Sequence, residues 1–149
     1  WFDLTKDDPK HILKETIQAE KKLNQFIDEV KIKYNLKNNK ICLSGFSQGC
    51  MMSINLGITS DKEYNCIVGF SGKIINVKDL EIRKKSSTNT LLIHGDMDQV
   101  VPASYMLEAK DFFIRNNIDI ETHLIKNCDH HIPIESSSIA LNYIQKNIE

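Results

Sequence analysis

The chain has 149 residues, the size of one ordinary domain with one buried core. Its formal net charge is -1, from 19 Lys and Arg against 20 Asp and Glu, so it lacks the basic excess typical of nucleic-acid-binding proteins. Hydrophobic residues make up 41% of the chain and no apolar run approaches the ~18 residues needed to cross a bilayer, which excludes a membrane span and a disordered tail.

The first predicted element is a long amphipathic helix. Asp7 and Asp8 stand before a proline, the pattern of an N-cap followed by proline at the first helical position. Apolar residues then recur at helical spacing from Ile12 to Val30. The helix is expected to end near Tyr34, because an Asn-rich loop follows.

Four short apolar segments then alternate with helices and predict a mainly parallel sheet of about four strands. The strands are predicted at 41–46, 66–70, 90–94 and 118–125, the last with the alternation of an edge strand. Helices are predicted from Gln48 to about Ile58, from Pro102 to about Asn116 and from Pro133 to about Ile148. The polar stretch 73–89 is predicted to be an irregular loop. This order indicates a single α/β domain over residues 1–149, with right-handed crossovers.

The most specific chemical motif is Gly45-Phe46-Ser47-Gln48-Gly49, a G-x-S-x-G between a predicted strand and a predicted helix. A serine at this point stands on a tight turn above the sheet, and both glycines are expected to let strand and helix approach without Cβ clashes. The backbone N–H of Gln48 is placed to donate to an oxyanion. The motif therefore predicts a nucleophile elbow with Ser47 as the nucleophile.

A serine hydrolase with this elbow also needs an acid and then a histidine, in that chain order. The candidate acids are Asp96 and Asp98, in the loop after the third predicted strand, where parallel sheets place functional groups. The candidate bases are His130 and His131, after the last strand. Spacing does not choose within either pair. Adjacent histidines rarely bind one ion, so no metal site with Asp129 is predicted.

Several cysteines and one histidine lie in predicted buried segments and are expected to be structural. None of the four cysteines has C-x-x-C spacing, and three lie in or beside apolar segments. Reduced, mostly buried thiols indicate a cytoplasmic protein. His94 lies inside a predicted strand, which also favours a structural role.

The sequence resembles the carboxylesterase/phospholipase family of α/β-hydrolases, which includes the acyl-protein thioesterases. The matching pieces, in order, are Trp1-Phe2-Asp3, the elbow at 45–49, Phe70-Ser71-Gly72, and H-G-D-x-D-x-V-V-P at 94–102. The resemblance implies Ser47 as nucleophile, Asp98 as acid and His130, with an apolar residue two positions later, as base. It implies that small carboxylic esters, lysophospholipids or S-acyl thioesters are hydrolysed through an acyl-enzyme, without cofactor or metal.

The resemblance covers the C-terminal two-thirds of the family fold. In the family, two central strands and a glycine-rich loop beginning H-G precede the Trp-Phe-Asp piece, and that loop supplies the second oxyanion N–H. We therefore expect this chain to lack half of the oxyanion hole and to expose the edge of strand 41–46. Cys50 replaces a small residue of the family and is expected to be harmless. Two alternatives to an active esterase follow: a weakly active or inactive remnant, and an interaction module that forms homo-oligomers or binds a partner through the exposed edge.

Overall fold

The architecture is a parallel β-sheet flanked by α-helices, seen in a computed structural model that describes residues 1–3, 5 and 8–148. The helices are α1 (Pro9–Tyr34), α2 (Gln48–Thr59), α3 (Val77–Arg83), α4 (Ser104–Arg115) and α5 (Ile134–Ile148). The strands are β1 (Cys42–Phe46), β2 (Cys66–Phe70), β3 (Thr90–Gly95) and β4 (Ile120–Ile125). The strands lie side by side in chain order, and each neighbouring pair is parallel. The predicted α/β fold with about four parallel strands is confirmed.

Helix α1 has both of its predicted ends. The Asp8 side chain caps it by accepting the N–H of Lys10 at 3.0 Å, whereas Asp7 lies outside the described residues. The helix ends at Tyr34, and Asn35 follows with φ 52°, a left-handed conformation that asparagine tolerates well. Although α1 has 26 residues, no helix within the described ranges is long and apolar enough to cross a membrane.

Helix α3 corrects the prediction of an irregular loop over 73–89. The side chain of Asn76 caps this helix by accepting the N–H of Asp79, and Leu80 is fully buried. Arg83 pairs with Asp79 one turn earlier and with Glu20 of α1, at 2.6 and 2.9 Å. Seven residues with one buried apolar side chain have too little periodicity to predict a helix from sequence. The cap and these ion pairs hold α3 in place.

Neighbouring residues of the central strands pack on opposite faces of the sheet. Ile67 of β2 joins an apolar cluster formed with α1, α2, α3 and α4, whereas Val68 joins a second cluster under α5. Both side chains are fully buried, as expected for a parallel strand covered on two faces. The edges of the described sheet are β4, as predicted, and β1, which pairs with β2 alone.

The thiol of Cys50 is enclosed beneath the first turn of α2. A Cβ built on Gly69 or on Gly72 would lie 2.4 Å from its Sγ, so glycine at both positions makes room for this side chain. Cys50 is 1% exposed, and burial raises the pKa of its thiol to about 12. This cysteine therefore acts as a small core residue.

Candidate active site

Three loops meet at the carboxyl ends of the parallel strands. The turn after β1 carries Ser47, the loop after β3 carries Asp98, and the loop after β4 carries His130. His130 Nε2 lies 3.0 Å from Ser47 Oγ, and His130 Nδ1 lies 2.7 Å from Asp98 Oδ2. The structure thus joins these three side chains into one hydrogen-bonded chain, although Ser47 and His130 lie 83 residues apart in the sequence.

The serine stands on a strained turn between β1 and α2. Ser47 has φ 53° and ψ -117°, a combination that non-glycine residues rarely adopt and that is found mostly at functional sites. A Cβ on Gly45 would lie 2.2 Å from the backbone carbon of Gly49, so glycine is required there. A Cβ on Gly49 would meet nothing within 4 Å. The prediction that both glycines relieve clashes is correct for Gly45 and wrong for Gly49.

Gln48 begins helix α2 directly after the serine. As the first helical residue, it has a backbone N–H that finds no acceptor within the helix and lies at the positive end of the helix dipole. Its side-chain Nε2 donates to the carbonyl of Phe2 at 2.7 Å, which ties the first residues of the chain to the turn. The Ser47 N–H itself donates to the carbonyl of Phe70 at 2.8 Å. Of these two neighbouring N–H groups, that of Ser47 is thus already bonded to the backbone.

The two candidate acids have different surroundings. The side chain of Asp98 is fully buried, and its Oδ1 accepts the N–H groups of Val100 and Val101 at 2.9 and 2.8 Å. Burial disfavours the charged form of Asp98, but the hydrogen bonds from His130 and from this backbone outweigh burial and lower the pKa of the carboxyl group. Asp96 faces elsewhere: its Oδ1 accepts the N–H of Cys128 at 3.3 Å.

The two candidate bases also differ. The His131 ring is more than half exposed and binds Asp129 in its own loop. The His130 ring is 18% exposed and packs against Phe46, with ring centroids 4.7 Å apart. Phe46 was not predicted to have a role, although its place next to Ser47 in the elbow was a signal for one.

Backbone contacts hold the acid and histidine loops together. Asp96 N–H donates to the carbonyl of Ile125 at 3.0 Å, and Met97 N–H donates to that of Cys128 at 2.9 Å. A Cβ on Gly95 would lie 2.3 Å from the Cys128 carbonyl oxygen, so the close approach needs glycine. Gly95 and Asp96 therefore serve the docking of one loop on the other.

One cavity lies beside the acid and histidine loops, and a second lies along β1 and the start of α2. The first, of about 530 Å³, opens beside His130 and is lined by the acid and histidine loops, with Met97 and Val100 as exposed apolar side chains. The other, of about 280 Å³, follows the unpaired edge of β1 and is mostly apolar, with Trp1 and Phe26 exposed at its rim.

The chain is similar to proteins named as thioesterases and esterases. The family model for phospholipase/carboxylesterase matches residues 1–148. The chain is 32% identical over 118 residues to acyl-protein thioesterase 1 of Yarrowia lipolytica, covering 74% of this chain and 51% of that protein. It is 27% identical over 158 residues to acyl-protein thioesterase 1 of Saccharomyces cerevisiae, covering 99% of this chain and 68% of that protein. The chain thus spans about half the length of the Yarrowia relative.

Solved structures show the same architecture. Esterase PE8 superposes with a TM-score of 0.89 at 30% identity, over 97% of this chain and 67% of that one. The carboxylesterase of Bacillus cereus shares the fold with a TM-score of 0.78 at 18% identity, over 98% of this chain and 68% of that one. With a family model matched along nearly its whole length and an α/β-hydrolase sheet, this chain belongs to the phospholipase/carboxylesterase family.

Proposed function

We propose that this chain is a serine hydrolase that cleaves carboxylic esters or thioesters through an acyl-enzyme. Ser47 is the nucleophile, His130 the general base and acid, Asp98 the orienting carboxylate, and the Gln48 N–H an oxyanion donor. The observation that carries the proposal is the position of His130, hydrogen-bonded to Asp98 on one nitrogen and to Ser47 on the other.

The position of the hydrogen on the neutral His130 ring follows from its two hydrogen-bond partners. The Asp98 carboxylate only accepts hydrogen bonds, so the neutral His130 ring carries its hydrogen on Nδ1 and leaves Nε2 free to accept the Ser47 proton. Ser47 Oγ then attacks the acyl carbon as its proton moves to Nε2, and the Gln48 N–H donates to the carbonyl oxygen that becomes negative. His130 returns the proton to the departing alcohol or thiol. A water, deprotonated in the same way, releases the acid and frees Ser47.

The substrate class is a small acyl ester or thioester. The cavity beside His130 supports this choice because two exposed apolar side chains there, Met97 and Val100, could contact an acyl or leaving group. The names of the relatives, thioesterase and esterase, support it too. We place the reaction in the cytoplasm, which the four free cysteines support.

Replacement of the serine tests the proposal. We expect Ser47→Ala to lower kcat/KM for p-nitrophenyl acetate by on the order of 10⁴-fold or more, because the variant lacks the hydroxyl that forms the acyl-enzyme. The matched control is Ser44→Ala, an exposed serine on β1, which should leave hydrolysis unchanged. Equal rates for the wild-type chain and Ser47→Ala would rule the proposal out.

The free edge of β1 favours a second candidate, an association module in which a second copy of this chain covers the edge. In the described sheet β1 pairs with β2 alone, and the apolar groove along it leaves Trp1 and Phe26 more than half exposed. We expect sedimentation equilibrium at high protein concentration to show dimers. A strict monomer would contradict self-association.

A further inference from the structure

We infer that His94 is a positioning residue for the proposed reaction: it holds the loop that directs Asp98 towards His130. The inference rests on the proposed function and deepens it. From its place inside a strand, His94 was expected to be structural. Its contacts connect it to the acid of the site.

The hydrogen bond of His94 shows that its Nε2 carries a hydrogen. His94 stands near the end of β3 and is 2% exposed. Its Nε2 lies 2.7 Å from the carbonyl oxygen of Val101 and 3.4 Å from Asp98 Oδ2. A carbonyl oxygen only accepts, so Nε2 carries a hydrogen and donates it to Val101. The second contact, to the Asp98 carboxylate, is too long for a hydrogen bond of normal length but is favourable for an N–H dipole.

The Val101 backbone is held at both of its polar groups. Its N–H donates to Asp98 Oδ1 at 2.8 Å, beside the N–H of Val100 at 2.9 Å, and its carbonyl accepts from His94. These backbone donors set the direction of the carboxylate whose other oxygen, Oδ2, meets His130. His94 belongs to β3, which is paired with β2 on one side and β4 on the other. The bond from His94 therefore anchors the acid loop to the central part of the sheet.

Loss of this donor has a defined consequence. The carbonyl of Val101, a residue that is 7% exposed, would lose its hydrogen bond and the loop would turn to recover one. The N–H groups that orient Asp98 would move with it. The hydrogen bond between Asp98 and His130 would weaken, and Ser47 would become a poorer nucleophile.

Two variants distinguish the hydrogen bond donated by His94 from the packing of its ring. His94→Phe keeps an aromatic ring and lacks the donor. His94→Gln places an amide nitrogen near the position of Nε2 and keeps the donor. The readouts are kcat per titrated active site, KM, and the far-downfield proton resonance of a hydrogen-bonded imidazole, here His130 Nδ1–H. We expect His94→Phe to lower kcat by on the order of 10–100-fold with KM nearly unchanged and to lose the resonance, and His94→Gln to restore both.

The inference is overturned if His94→Phe keeps the wild-type kcat and resonance, or if His94→Gln is as impaired as His94→Phe. If His94→Phe does not fold, ¹⁵N NMR of the wild-type chain shows which nitrogen of the His94 ring carries a hydrogen. A hydrogen on Nε2 supports the inference. A neutral ring with its hydrogen on Nδ1 overturns it. The resonance and the tautomer are measured without substrate. A wild-type chain that shows both yet hydrolyses no ester would contradict the proposed function while leaving the loop contact intact.

Discussion

Asp98→Asn is expected to lower kcat by about 10⁴-fold, the size of effect known for asparagine in place of a triad aspartate. The geometry gives the reason. The Asn oxygen must accept the N–H groups of Val100 and Val101, so the NH₂ group faces His130. His130 Nδ1 then accepts and Nε2 carries the hydrogen, which leaves Ser47 opposite a donor instead of a base. Stopped-flow hydrolysis of p-nitrophenyl acetate measures the loss.

Asp96→Asn is the matched control for this prediction. Asp96 uses one oxygen to accept the Cys128 N–H, and the asparagine oxygen can accept the same bond. We expect kcat within a few-fold of wild type. If Asp96→Asn were the more damaging of the two, Asp96 would be the acid and the reading of these loops would be wrong.

Gly45→Ala is expected to destabilise the fold by about 3 kcal/mol or more and to abolish activity. The added Cβ would lie 2.2 Å from the backbone carbon of Gly49 and 2.7 Å from the backbone nitrogen of Cys50. Backbone atoms cannot move aside as a flexible side chain can, so α2 must shift away from β1. The free energy of unfolding in urea and the rate of hydrolysis measure the two effects.

Gly49→Ala is the control within the same motif. Its Cβ meets no heavy atom within 4 Å, and alanine favours the helical conformation over glycine by up to about 1 kcal/mol. We expect unchanged or slightly increased stability. Similar urea midpoints for Gly45→Ala and Gly49→Ala would show that β1 and α2 are not in close contact at Gly45.

The order of elements could be predicted because the central strands are short apolar runs separated by proline- or glycine-marked boundaries. Every predicted strand and helix boundary lies within two residues of the observed one. The Asn76 cap of helix α3 is a local signal, but one cap alone was not enough to predict the helix. The helix is also held by the pairing of Arg83 with Glu20, 63 residues away. Tertiary contacts of this kind leave no local period in the sequence.

The elbow could be predicted from its motif, but the residues beyond it only in part. Asp96 and Asp98 lie two residues apart in one loop, and His130 and His131 are adjacent, so spacing gives equal weight to both members of each pair. Which member of each pair faces the serine depends on bonds between the two loops, such as those of Cys128 N–H to Asp96 and of His130 to Asp98. The family resemblance favoured Asp98 and His130 before those bonds were known.

We propose that Ser47, His130 and Asp98 work together as a catalytic triad in these 149 residues. Labelling of the folded chain with a fluorophosphonate, followed by mass spectrometry of its peptides, tests this proposal, because the reagent reacts with activated serines and needs no knowledge of the substrate. We expect one adduct, on Ser47, which is absent from Ser47→Ala and forms far more slowly in Asp98→Asn. A folded chain without an adduct on Ser47, or one labelled equally fast in Asp98→Asn, would contradict it.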